Sequence, residues 1–179
     1  MPGAPRAASV WPSERRRGHE DAPQALRSAV LRLQTRNQFQ VVLAGERIAS
    51  TAHFVLHRQT LPHPRQALTV PPSVRADLFA AAPPDASWLG ALVPKRWARR
   101  AVTRNAIKRQ IYAVSSQHAF DVRPAAYVVR LRAAFDRQQF VSASSSMLKA
   151  QVRQELQQLF NAMDRAASIR SAALTGTKA

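Results

Sequence analysis

Seven lysines and arginines stand in the fifteen residues from Lys95 to Arg109, and no acidic residue occurs between Ala86 and Phe120. A run this cationic resists burial, because an unpaired charge taken out of water is costly. It also carries an apolar period: Ile107, Ile111, Val114 and His118 recur at spacings of four, three and four, as on one side of a helix. Together these requirements predict a helix from about Arg100 to His118, half core and half solvent. At helical pitch, Arg104, Asn105, Lys108, Arg109 and Tyr112 fall on the arc opposite the stripe. Surface helices ordinarily mix signs or set Glu and Lys four apart. An arc with cations alone is the electrostatic footprint of a nucleic-acid partner.

The whole chain leans the same way, less sharply. Its 179 residues hold 27 Lys and Arg against 10 Asp and Glu, a formal charge of +17. The excess is local: residues 1–25 hold four basic groups against three acids, residues 26–85 seven against three, and residues 121–170 eight against four. The near-neutral N-terminus therefore gives no support to a polybasic membrane anchor. Apolar stretches fall short of the ~20 residues a spanning helix needs. The absence of cysteine excludes disulfides, Cys-ligated zinc and thiol catalysis, and suits a reducing, cytoplasmic setting. With 46% hydrophobic residues, the chain has material for one core.

Along the chain, residues 1–25 are rich in Pro, Arg, Ser and Ala without period; they read as a disordered extension and not as a secretory signal. Residues 26–166 read as a single domain. Thr35 and Gln38 have capping-box spacing, opening a short helix through Phe39, Val42 and Leu43 toward Gly45. Ser50 to Gln59 alternates, with Ala52, Phe54 and Leu56 on one face and Thr51, His53, Val55 and His57 on the other, as a half-buried strand does. Residues 60–86 hold six of the twelve prolines and read as an insertion in which Ser73–Ala82 forms a turn or two of helix and Leu78–Phe79 docks. A second strand covers Ser87–Val93. After the basic helix, Pro124 starts a third strand, with Tyr127, Val129 and Leu131 facing one way and Val128, Arg130 and Arg132 the other. A last helix, about Ala143–Asp164, buries Leu148, Val152, Leu156, Leu159 and Met163, with serines 144–146 placed to cap it. Residues 167–179 read as a disordered tail. The order α-β-β-α-β-α fits an α+β or α/β fold with few strands.

At the basic helix the pattern becomes specific. Gly90-Ala91-Leu92-Val93-Pro94-Lys95-Arg96, followed by Arg100-Ala101-Val102-Thr103-Arg104-Asn105-Ala106-Ile107-Lys108-Arg109, resembles the signature of the bacterial ribonuclease P protein component. The flanks agree: Phe39–Leu43 resembles that family's first helix, His53–His57 its first strand and Ala126–Arg132 a later strand. The likeness spans about residues 30–165, interrupted by the Pro-rich insertion. It implies an α/β sandwich, a small mixed sheet packed by three helices with a left-handed βαβ crossover. It further implies a protein that binds a large catalytic RNA and the 5′ leader of precursor tRNA. In that family the RNA hydrolyses the phosphodiester with Mg²⁺, and the protein binds no cofactor of its own. Neither a membrane nor a small molecule is expected as partner. Carried over by position, Lys95, Arg96, Arg99, Arg100, Arg104, Asn105, Lys108 and Arg109 would meet the catalytic RNA. Phe39, Val55, His57 and Arg130 would line a leader groove, with Lys95 at its rim. Three positions depart from the family's pattern: Ala106 replaces the second arginine of Arg-Asn-Arg, Leu43 an aromatic of the first helix, and His57 an aromatic of the strand.

Rival readings are a ribosome-type structural RNA binder and a free-standing nuclease. Two-metal nucleases need converging carboxylates, whereas Asp121, Asp136, Glu155 and Asp164 are scattered along this chain. Trp97 could stack on a base or pack on its own protein. His53 and His57, four apart on one strand face, would lie roughly 13 Å apart, too far to share a metal.

Overall fold

The computed structural model describes residues 30–61, 78–79, 86–118, 120, 125–136 and 146–175. Five strands and three helices lie among them: β1 Val30–Arg32, α1 Arg36–Leu43, β2 Glu46–Ser50, β3 Phe54–Thr60, β4 Ser87–Leu92, α2 Ala101–Ser115, β5 Ala125–Leu131 and α3 Ser146–Thr175. The strands form one mixed sheet in the order β1-β4-β5-β3-β2. β1 and β5 run parallel to β4, while β3 is antiparallel to both β5 and β2. The α2 segment thus crosses between two adjacent parallel strands, and β5, at the sheet's centre, is paired along both edges.

Side-chain alternation divides the core in two. Phe54, Leu56, Leu89, Ala91, Tyr127, Val129 and Leu131 face the helix pair, where they meet Ile107, Ile111 and Val114 of α2 and Leu148, Val152, Leu156, Leu159, Phe160 and Met163 of α3. On the other face Trp88, Ala126 and Val128 meet Leu33, Leu61, Phe79 and Val42 of α1. The result is an α+β sandwich with helices on both sides of a mixed sheet.

α1 starts where its chemistry directs. Thr35 Oγ1 accepts from the Gln38 backbone N–H at 3.3 Å, and Gln38 Oε1 accepts from the Thr35 N–H at 3.0 Å. These bonds satisfy donors that a helix start leaves open. Gln38 also reaches out of its helix: its Nε2 donates to the Leu78 carbonyl at 2.9 Å. Phe79 beside it is buried, edge-on to Trp88 at 5.5 Å between ring centres. The expected docking of Leu78–Phe79 is therefore present as a turn; the rest of the expected Ser73–Ala82 helix lies outside the described residues, as do residues 1–25.

Several expectations need correction. The strand expected over Ser50–Gln59 is two strands and a turn: β2 ends at Ser50 and β3 begins at Phe54. The intervening turn breaks the alternation, so His53 does not share a face with His57. His53 turns toward α3, while His57 lies on the α1 side. Of the two edge strands, β1 has no counterpart in the sequence pattern, and β2 meets it only at Ser50. α2 ends at Ser115, which leaves His118 beyond the helix and half-buried. α3 runs to Thr175, well past Asp164 and into the segment expected to be a disordered tail.

α3 is pinned to both of its neighbours. Glu155, buried on the sheet side, accepts from the Thr51 hydroxyl at 2.9 Å and the His53 N–H at 3.0 Å, and its Oε1 lies 2.6 Å from His53 Nδ1. Burial alone would raise this carboxyl; the His53 and Thr51 hydrogen bonds outweigh it and leave the group below its ordinary range. The His53 ring stacks on Phe135 at 4.0 Å. Farther along, His118 Nδ1 lies 2.8 Å from Asp164 Oδ2, and its ring stacks on Phe160.

Candidate nucleic-acid interface

The basic run forms a tight turn and then a helix. Trp97 and Ala98 donate their N–H groups to the Pro94 carbonyl at 3.1 and 3.2 Å, which sets Lys95 and Arg96 at an exposed tip. Trp97 packs against the helix-side core, and the Arg96 guanidinium covers its ring at 5.1 Å; this tryptophan packs on its own protein. Arg99 and Arg100 are exposed, and Arg100 occupies the N-cap of α2 without a side-chain cap bond. Asn105, Lys108 and Arg109 then face solvent along α2.

Arg104 behaves differently from its neighbours. It lies only three residues from buried Ile107 and leans off the exposed arc, half-buried. Its Nη1 donates to the carbonyls of Arg99 at 2.7 Å and Ala98 at 3.1 Å. These bonds tie the turn to the helix start, so Arg104 shapes the cationic surface from beneath. Tyr112 is also half-buried, under the Arg32 guanidinium, which sits 4.3 Å from its ring centre. That contact adds a cation from β1 to the α2 surface. No sequence period marks Arg32, because only the parallel pairing of β1 with β4 brings it there.

The second candidate surface lies across the sheet, beside α1. Val55 pairs with Arg130, Arg130 with Leu92, and His57 with Val128 and Arg47. Since alternate residues share a face, Arg47, Val55, His57 and Arg130 project to the α1 side together. Phe39 of α1 is half-buried and lies on Gly90 of β4. The four residues expected to line a groove are thus on one face, with Arg47 as an addition. Val55 is nearly buried and contributes floor.

The electrostatics of this face are distinctive. Burial, then Arg130, then Arg47 push the His57 imidazole below its ordinary value and favour its neutral form. Among the described residues, His57 Nδ1 and Arg130 Nε are buried polar atoms without a hydrogen-bond partner. Buried polar groups are ordinarily paired, so two such atoms on the sheet face that also carries Phe39 suit a polar, stackable ligand.

No group of three His, Cys, Asp or Glu among the described residues could hold a metal ion. No described helix is long and apolar enough to cross a membrane.

Comparison with known proteins places the chain in a family. The ribonuclease P protein from Staphylococcus aureus is similar in structure, with a TM-score of 0.47 and 18% identity over 73% of this chain and 92% of that one. The ribonuclease P protein components of Bordetella parapertussis and Bordetella bronchiseptica are each 30% identical over 143 residues, covering 80% of this chain and 99% of theirs. The family model described as Ribonuclease P matches residues 28–164, from β1 through the core-packing part of α3, and the chain belongs to the ribonuclease P protein family.

Proposed function

We propose that this protein is the protein subunit of ribonuclease P, acting in tRNA 5′-end maturation in the cytoplasm. Its α2 face, with Lys95, Arg96, Arg99, Arg100, Asn105, Lys108 and Arg109 outward and Arg104 holding the turn, docks the catalytic RNA. The groove between α1 and the sheet, with Phe39, Val55, His57 and Arg130, holds the 5′ leader of precursor tRNA. One observation carries this division of labour: two cation-bearing surfaces lie on opposite faces of a single sheet, and the α1-side surface holds Phe39 together with two unpartnered buried polar atoms, His57 Nδ1 and Arg130 Nε. Phosphate docking needs the first kind of surface, and single-strand capture needs the second.

Hydrolysis falls to the RNA and its Mg²⁺ ions. Among the described residues, Glu155 and Asp164 are engaged with His53 and His118 rather than with each other, whereas two-metal hydrolysis needs converging carboxylates. The protein supplies positive charge and leader position. Incubating it with precursor tRNA, with and without the catalytic RNA and at low Mg²⁺, tests the reading. Cleavage should need the RNA and be stimulated by the protein. Cleavage by protein alone would establish a free-standing nuclease, and absence of stimulation would favour a structural RNA binder.

A further inference from the structure

The α2 surface has one edge without a cation. Asn105, Lys108 and Arg109 face solvent, and Arg32 over Tyr112 closes the β1 side. Toward α3 the residues are Thr103, Ala106 and Gln110, none of them charged. α3 reaches that edge directly: Arg153 Nε donates to Gln110 Oε1 at 3.3 Å.

The direction of the two helices extends this contact. Gln110 meets Arg153, and His118 meets Asp164, so residue numbers rise together and α2 and α3 run side by side in parallel. One turn back from Gln110 is Ala106; one turn back from Arg153 is Lys149. The same stride therefore brings Lys149 level with Ala106. Lys149 and Arg153 are both exposed. The only acid on α3 before Asp164 is Glu155, which is buried on the opposite margin against Thr51 and His53. The outer face of α3 beside them carries amides, at Gln154, Gln157, Gln158 and Asn161, with Met147 and Ala150 exposed near its start.

We propose that Lys149 and Arg153 form a second row of phosphate contacts, carrying the RNA-docking surface from α2 across the α2–α3 seam and supplying the positive charge missing at Ala106. The inference rests on the reading that α2 docks the catalytic RNA. The hydrogen bond to Gln110 engages Nε and holds the guanidinium at the seam; the Nη pair remains to meet phosphate oxygens in the planar, two-pronged manner that arginine favours. The neighbouring amides suit ribose hydroxyls, which both donate and accept.

The test uses the full chain with the catalytic RNA, measuring affinity over a series of salt concentrations. Lys149→Ala/Arg153→Ala should weaken binding on the order of tenfold and flatten the dependence of log affinity on log salt by about 1.5, the sum for two phosphate contacts. Adding Ala106→Arg to that double variant should restore about half of the lost slope, the share of one phosphate contact. Lys149→Ala alone, which disturbs no described side-chain bond, should remove roughly half of the effect, so a folding defect cannot imitate the result. An unchanged slope in the double variant, alongside a lowered one in Lys108→Ala/Arg109→Ala, overturns this inference and leaves α2 docking intact. If Lys108→Ala/Arg109→Ala also leaves the slope unchanged, the docking reading itself fails.

Discussion

Phe39 lies against the bare α-carbon of Gly90: a methyl group there would come within 2.6 Å of the ring and 2.7 Å of Leu33. The absent side chain lets α1 settle onto β4. Gly90→Ala should therefore lift Phe39 and widen the groove. Overpacking of this kind costs about 1–3 kcal/mol, to be read from urea denaturation. Crosslinking of a precursor leader should fall more than affinity for the catalytic RNA, because α2 lies on the other face.

If the α1-side groove holds the leader, as proposed, His57 should make that binding depend on pH. In the free protein, burial and the positive Arg130 and Arg47 hold its pKa down. The unfolded chain therefore binds the proton first, and stability declines as pH falls below the ordinary histidine value. A leader phosphate in the groove favours the imidazolium and raises the pKa again, so binding takes up a proton. Leader affinity should increase between about pH 8 and about pH 6. His57→Gln should flatten that profile; a wild-type affinity independent of pH would show that no phosphate approaches the ring.

Glu155 gives the fold an acid-sensitive anchor. Its net pKa is lowered by hydrogen bonds from His53 and Thr51 despite burial. The unfolded carboxyl thus takes a proton at higher pH than the folded one. The stabilisation is complete above the ordinary carboxylate range and is lost as pH falls through the folded value. Glu155→Gln should cost about 1–3 kcal/mol at neutral pH and flatten the acid limb of a stability profile measured by urea unfolding.

Arg104→Lys separates charge from shape. Lysine keeps the cation but loses the guanidinium that bridges the Ala98 and Arg99 carbonyls. Affinity for the catalytic RNA should drop severalfold, while the salt slope stays near the wild-type value, because the number of phosphate contacts is little changed. A slope reduced by about one would instead make Arg104 a direct phosphate ligand.

The legible parts of this fold were those written in local chemistry. Thr35 and Gln38 announce α1 because a capping box depends on two side chains at fixed spacing. Ile107, Ile111 and Val114, and the Leu148-to-Met163 series, announce α2 and α3 through period alone. β1 was illegible because three residues have no period, and only the long-range pairing of Val30 with Ser87 makes them a strand. β2 was hidden by the irregular register between Arg47 and Ala49, which spoils alternation. The basic surface was legible as a run, but its flanks were not. Arg32 and Arg153 join it through tertiary contacts, and Arg104 leaves it because two nearby carbonyls claim its guanidinium.

The sheet acts as a partition. Its two layers of side chains share a backbone but no packing surface, so a change of volume beneath α1 is felt by β4 and β5 before it can reach α2. Substitutions at Leu43 or His57 can therefore accumulate on the α1 side without disturbing the packing beneath α2. The reverse holds for Ala106 and its neighbours on α3. A protein divided in this way can vary one face while the other keeps its shape.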